Sequence, residues 1–317
     1  VTWFWIVFVL GVTYLSALLG DFYSLLNPWL VLANWLDSAS NGIFRPRIAY
    51  PQALAYYPAL ALYMGFIWIE LFAHTSPRSL SLELLVYTLL SLAIAYAFGK
   101  DAWIRYMEFF AVFFRMVAKI APIEIVHPRS TSEGLRYRLR YPFTGLRTER
   151  AEHISLLIFI LFMLSSTAFD GLHETFPWVT IFWKHIYPVI EKTFGAGMAH
   201  PYVVLVKTFF YWQWLMLVLA PLAYLTIYYV FIFLAKAVTR SKVSMPELTL
   251  SFAFSLIPIA FVYHLTHYFT LLLAQGPRFF ALLSDPLGRG WDLWRTGGLF
   301  PDGILLDASV IWHTQVW

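Results

Sequence analysis

The 317-residue chain is 60% hydrophobic and 20% aromatic, and only 13% of its residues are charged. A soluble domain carries about 25% charged residues, so this allowance excludes an ordinary water-facing surface. There is no cysteine, which excludes disulfides, thiolate metal sites and cysteine nucleophiles; the net charge of +4 is small, so its distribution matters more than its sum.

The chain enters an apolar run directly at Val1, shows no signal-peptide pattern, and stops inside apolar sequence at Trp317. We therefore expect it to be part of a longer chain. A bilayer core needs roughly 20 apolar residues per helix. Spans are predicted at about 2–19, 52–74, 80–98, 153–170, 206–236 and 248–275, with an incomplete one from about 308. The fold class is all-α: a polytopic bundle of six to seven spans, with residues 1–317 as one transmembrane domain. Pro58, Pro221 and Pro258 fall inside spans, where neighbouring helices can re-satisfy the freed carbonyls.

Two stretches read as interfacial. Asp21 to Leu36 is short, carries Trp29 and Trp35, and is broken by Asn27-Pro28. Lys100 to Ile120 mixes apolar residues with Arg105, Glu108, Arg115 and Lys119, which predicts an amphipathic helix on the membrane surface. A buried re-entrant helix is the less favoured reading, because of those charges.

The 99–152 connection is rich in Lys and Arg, from Lys100 and Arg105 through Arg129, Arg136, Arg138 and Arg140 to Arg150. Positive loops stay inside. With this one cytoplasmic, alternation puts Arg45 and Arg47, and the turn with Lys236, Arg240 and Lys242, on the same side. The 171–205 segment is then external, and the basic loop is a topology determinant and lipid-headgroup contact. No nucleic-acid module, phosphate loop or fixed-period repeat is visible, so no nucleic-acid partner is expected.

Ionisable residues inside spans are functional candidates by default. This topology brings several to one depth near the outer face: Glu70 and His74, Glu83, Asp170 and His173, His264 and His267, and His313. His127 and His153 fall on the cytoplasmic side. A pair of histidines three apart on a helix can serve one metal ion, and imidazole with carboxylate suits zinc, copper or iron. The predicted ligands are His264, His267, His173, His313 and Asp170, with Glu70 and Asp170 as catalytic groups. A hydrogen-bonded histidine is the competing reading for each, and His74, His173, His185 and His200 could be ordinary loop residues. Two axial haem ligands do not suit a pair on one helix.

At these residues the chain resembles a known family. Gly20-Asp21, Leu26-Asn27-Pro28-Trp29, Ser166-Thr167-Ala168-Phe169-Asp170-Gly171-Leu172, His267-Tyr268-Phe269 and Ser284-Asp285-Pro286-Leu287-Gly288-Arg289-Gly290-Trp291-Asp292 resemble bacterial fenitrothion hydrolase-like membrane proteins. The resemblance implies a polytopic membrane protein working with a second subunit, and organophosphate triester hydrolysis as an activity type. It supplies no catalytic residue set.

The expected function is a metal-dependent hydrolase-like subunit of the inner (cytoplasmic) membrane, with a divalent transition metal and a second membrane or periplasmic subunit. A copper or iron redox subunit, for oxygenation or electron transfer, would use the same ligands. A scaffold or transport subunit needs no chemistry.

Overall fold

A computed structural model describes residues 1–73, 75–126, 135–194, 202–299, 304 and 306–316. Nearly all regular structure in them is helical, as expected for an all-α fold. Among the described residues four helices are long and apolar enough to cross a membrane: Pro77–Phe98, Ile154–Leu172, Val204–Thr239 and Met245–His267. Trp3–Leu19 and Tyr57–Phe72 are apolar but shorter, and fall where two further spans are expected. In chain order we name α1 (Trp3–Leu19), α2 (Pro28–Ala39), α3 (Tyr57–Phe72), α4 (Pro77–Phe98), α5 (Lys100–Tyr106), α6 (Phe109–Val117), α7 (Ile154–Leu172), α8 (Tyr202–Thr239), α9 (Leu256–His267) and α10 (Ala308–Val316).

Helix α7 is the centre, packed against α3, α8 and α9. Its sequence is apolar all round, which is the signature of a helix with no solvent face. Small residues Ser155, Ser165, Ser166 and Thr167 are buried in it and let neighbours approach closely. Thr167 satisfies its hydroxyl within the helix by donating to the Met163 carbonyl at 3.2 Å. Helices α4 and α8 behave oppositely. They leave Leu82, Leu85, Val86 and Leu89, and Leu215, Val218, Phe231 and Phe233, exposed. In water such surface costs about 25 cal/mol per Å². In a bilayer that penalty vanishes.

Helix α6 corrects the expectation for Lys100–Ile120. Every residue of Phe109–Val117 is buried except Arg115. The charges that suggested an amphipathic surface helix flank an uncharged Phe-Phe-Ala-Val-Phe-Phe run and do not form one face of it. Glu108, wholly buried, caps the helix by accepting the N–H groups of Phe110 and Ala111 at 3.2 and 2.7 Å. Asn27 donates to the same carboxylate at 3.0 Å, and the Tyr87 hydroxyl donates to its other oxygen.

Asn27-Pro28 starts α2 as expected. The Asn27 side chain accepts from the N–H groups of Trp29 and Leu30, both at 3.0 Å, and Pro28 takes the first helical position. Trp29 is not an exposed anchor, however. It is buried, stacks on Phe110 with ring centroids 5.5 Å apart, and donates to Thr88 at 2.9 Å, whereas Trp35 is exposed. The basic connection folds in part as an antiparallel hairpin, β1 (Ile123–Val126) with β2 (Arg136–Leu139). Gly20 lies against it with φ +83°, and a Cβ there would stand 2.3 Å from the Ile123 carbonyl oxygen. Residues 127–134, with His127 and Arg129, lie outside the described residues.

Candidate functional site

Helices α3, α7 and α9 run in the same direction. Tyr56, Leu156 and Phe254 line a cavity near their N-terminal ends, while Glu70, Asp170 and His264 line a second one near their C-terminal ends. Glu70 lies two residues before the end of α3, and Asp170 two residues before the end of α7. His264 and His267 lie in the last turn of α9.

The second cavity measures about 80 Å³. A water occupies roughly 10–15 Å³ in this measure, so the space suits a few waters or a small ion. Its walls are mostly apolar and rich in aromatic residues, with Phe66, Phe109, Phe113 and Tyr63 among them. Its polar groups are Glu70, Asp170, Ser166, Thr167, His264 and Tyr268.

Glu70, Tyr268 and Asp170 lie within hydrogen-bond reach of one another, together with His267 outside the lining. The Tyr268 hydroxyl donates to Glu70 Oε1 at 3.0 Å and lies 3.5 Å from Asp170 Oδ2. His267 Nε2 stands 2.7 Å from the same Asp170 oxygen. His264 is the exception: its Nδ1 is buried and has no hydrogen-bond partner. Its ring packs against Tyr268 and Tyr14, with centroids 4.7 and 6.0 Å away.

The electrostatics favour positive charge. A helix C-terminus carries a partial negative charge equivalent to roughly half an electron, and carboxylates are disfavoured there. Here the C-terminal ends of α3 and α7 converge, each carrying a carboxylate, while α9 continues past Tyr268 into a further helical segment, Phe269–Gln275. A cation, whether proton, imidazolium or metal, offsets that arrangement.

Sequence reading thus brought Glu70, Asp170, His264 and His267 to one place, but not in the expected geometry. Residues three apart on a helix diverge by about 60° around the axis. Accordingly His264 faces the cavity, whereas His267 pairs with Asp170 and is not part of the lining. Tyr268, four residues beyond His264, lies on the cavity stripe.

His173 is not brought in: it closes α7, with Nδ1 2.9 Å from the Asp170 carbonyl oxygen and its ring stacked on Phe169. His313 is exposed and bonds within α10, Nδ1 to the Ser309 carbonyl oxygen at 2.6 Å. Glu83 lines a separate apolar groove between α3 and α4. His185 is exposed. His153 caps α7, where its Nδ1 accepts the Ser155 N–H at 3.1 Å. His74 and His200 lie outside the described residues. Among the described residues no three His, Asp or Glu side chains are already arranged around a metal position.

Tyr268 and the Ser166-Thr167 pair are site residues that sequence reasoning did not assign. The available signal was helical spacing, since 264, 268 and 271 form one stripe and 166, 167 and 170 another.

Fold and site together define a largely helical protein with several long apolar helices and a small cavity, with a few polar groups, where the C-terminal ends of α3 and α7 meet α9. No family model, curated protein or solved structure matches the chain.

Proposed function

We propose that this is an integral membrane protein that binds a divalent transition metal ion, zinc, copper or iron, in the cavity between α3, α7 and α9, and that the bound ion serves hydrolytic chemistry. The observation that carries the reading is the buried, unpartnered Nδ1 of His264, a residue that lines the same cavity as Glu70 and Asp170, where the C-terminal ends of α3 and α7 meet. A buried imidazole nitrogen without a partner is costly, and a shared cation satisfies it together with both carboxylates.

His264 and Asp170 would hold the ion. His267 orients Asp170 from behind, as outer partners of metal ligands do. Tyr268 positions Glu70, the general base. A bound divalent ion would acidify a coordinated water and polarise a phosphoryl oxygen. Sites for drug-sized molecules occupy about 300–1,000 Å³. The cavity is therefore too small for a whole organophosphate triester, and such a substrate would reach it only at the rim. The basic end, by the positive-inside rule, would face the cytoplasm and the cavity the outer side of the inner membrane. A second membrane or periplasmic subunit would complete the assembly.

The Tyr268–Glu70 and His267–Asp170 hydrogen bonds, with the Tyr268 hydroxyl 3.5 Å from Asp170 Oδ2, favour a second reading, a proton relay with water in the cavity. Element analysis of the protein purified in mild detergent separates the two. The metal reading expects one ion per chain, lost in Asp170→Asn. Zinc supports hydrolysis, and copper or iron supports the redox alternative. A metal-free protein whose thermal transition is unmoved by added zinc, copper or iron overturns the metal reading and leaves the relay.

A further inference from the structure

We infer that the cavity at the opposite, basic end of the same three helices is a binding site for a phosphate group, supplied by the headgroup of an anionic lipid. Tyr56 and Glu70 are fourteen residues apart, as are Leu156 and Asp170. At 1.5 Å per residue this sets Glu70 and Asp170 about 21 Å along the helices from Tyr56 and Leu156. The basic site is therefore distinct from the polar cavity. It rests on the membrane reading but not on the presence of a metal.

The cavity measures about 630 Å³ and is lined by Lys100, Arg105, Arg115, Lys119 and Arg150 against Asp101, Glu149 and Glu152. Four of these cations have a carboxylate partner. Lys100 bridges Asp37 at 2.6 Å, Arg105 bridges Glu152 at 2.9 Å, Lys119 bridges Glu149 at 2.6 Å, and Arg150 reaches Glu247 at 3.4 Å. Arg115 has none among the described residues. Its guanidinium donates to the Arg105 carbonyl at 2.7 Å, which leaves most of its five N–H donors unspent.

Arg115 is also the one residue of α6 that is not buried. A helix sunk among aromatics thus delivers a single cation to the cavity wall. A guanidinium fork matches a phosphate better than a point charge does. Glu149 and Glu152 have 67% and 51% exposed side chains, so they can yield Lys119 and Arg105 to an incoming anion at little cost.

The rest of the lining decides between a lipid and a free ion. Leu30, Ile104, Met116, Leu156 and Phe254 give the cavity an apolar wall beside its charges. A free phosphate ion makes no use of that wall. A phospholipid uses both surfaces, with the headgroup on the cations and the glycerol and upper acyl segment on the apolar side. Basic pockets between membrane helices on the cytoplasmic side bind anionic headgroups by this logic.

Native mass spectrometry of the detergent-purified chain, mixed with equal phosphatidylglycerol and phosphatidylcholine, tests the site. The wild type should retain phosphatidylglycerol selectively. Arg115→Gln should weaken retention about tenfold, the loss expected for removing charge-assisted hydrogen bonds. Arg150→Gln is the control for folding, because Arg150 is 67% exposed with a single long pair. It should weaken retention by a few-fold without moving the thermal transition, and it decides the matter if Arg115→Gln does not fold. Inorganic phosphate is the second arm. If it raises the transition temperature of the lipid-stripped protein and displaces phosphatidylglycerol at millimolar concentration, the phosphate site stands and its natural source is the free ion. Equal retention of the two lipids with no effect of phosphate overturns the inference. So does phosphatidylglycerol retention that neither arginine variant reduces.

Discussion

Glu108 and His264 lie in the same bundle, yet both oxygens of Glu108 are hydrogen-bonded while the buried Nδ1 of His264 has no partner. Glu108 takes two backbone N–H groups, the Asn27 amide and the Tyr87 hydroxyl, and in doing so ties α6 to α2 and α4. Neither carboxylate oxygen is left over there. At the other site, Glu70, Asp170 and His264 share an open space of about 80 Å³. A closed network contributes to the fold, because each group in it is satisfied by the protein itself. An open one keeps bonding capacity in reserve. The contrast separates a structural buried carboxylate from functional candidates when both are charged residues in apolar sequence.

The largest expected effect is at the closed site. Glu108→Ala leaves the Asn27 amide, the Tyr87 hydroxyl and two N–H groups without an acceptor, at about 1–3 kcal/mol each. The variant should lose at least roughly 3 kcal/mol of stability and fail to give folded protein in detergent. A thermal transition equal to that of the wild type would mean that the network is not structural.

Next in size is Gly20→Ala. The substitution strains a backbone at φ +83° and drives a methyl into the Ile123 carbonyl. A loss of about 1–3 kcal/mol is expected, read by thermal unfolding, with metal content per folded chain unchanged. Loss of metal from protein that remains folded would couple the hairpin to the cavity, against the separation drawn here.

Asp170→Asn sharpens the comparison from the open side. It removes the partner of His267 and one proposed ligand, yet leaves Glu108 untouched. Metal content should fall below a tenth of the wild-type value while the protein still purifies as a folded monodisperse species. A variant that aggregates as Glu108→Ala is expected to would place Asp170 among the structural groups.

The smallest effect is at the basic end. The Lys100 ammonium and the Phe44 N–H hold the Asp37 carboxyl below its ordinary value, and Lys119 does the same for Glu149. A carboxyl depressed in the folded state adds stability that is complete above its unfolded value, near 3.8 for Asp37 and 4.5 for Glu149, and is lost as pH falls through the lowered folded value. Stability should therefore hold as pH drops to about 5 and decline below about 4. Lys100→Gln should flatten the part of that decline that belongs to Asp37. An acid profile identical in the variant would show that the pair makes no contribution, as many exposed pairs do not.

Which end of the helices the candidate residues share was legible in the sequence, and lateral packing was not. Apolar run lengths located the helices, and alternation brought Glu70, Asp170, His264 and His267 to one end. Which helices touch depends on side-chain shape across the bundle, and nothing in one sequence records it. His173 and His313 sat at the right depth, but one closes α7 and the other is exposed on α10. The same limit explains α6. Its charges lie at its ends, and the Phe-rich run between them is buried by α1, α3 and α9, neighbours that only the fold reveals. Tyr268 was missed for a different reason: aromatic residues are so abundant here that a tyrosine carries little signal until its hydroxyl is seen between two carboxylates.

The most direct test of the open-site account is His264→Ala, compared with the wild type for metal content and thermal transition in the same detergent. His264 Nδ1 has no partner to lose, so the transition should move by only a few degrees while stoichiometric metal disappears. A variant that keeps its full metal content would contradict the account, as would one that loses the fold together with the metal.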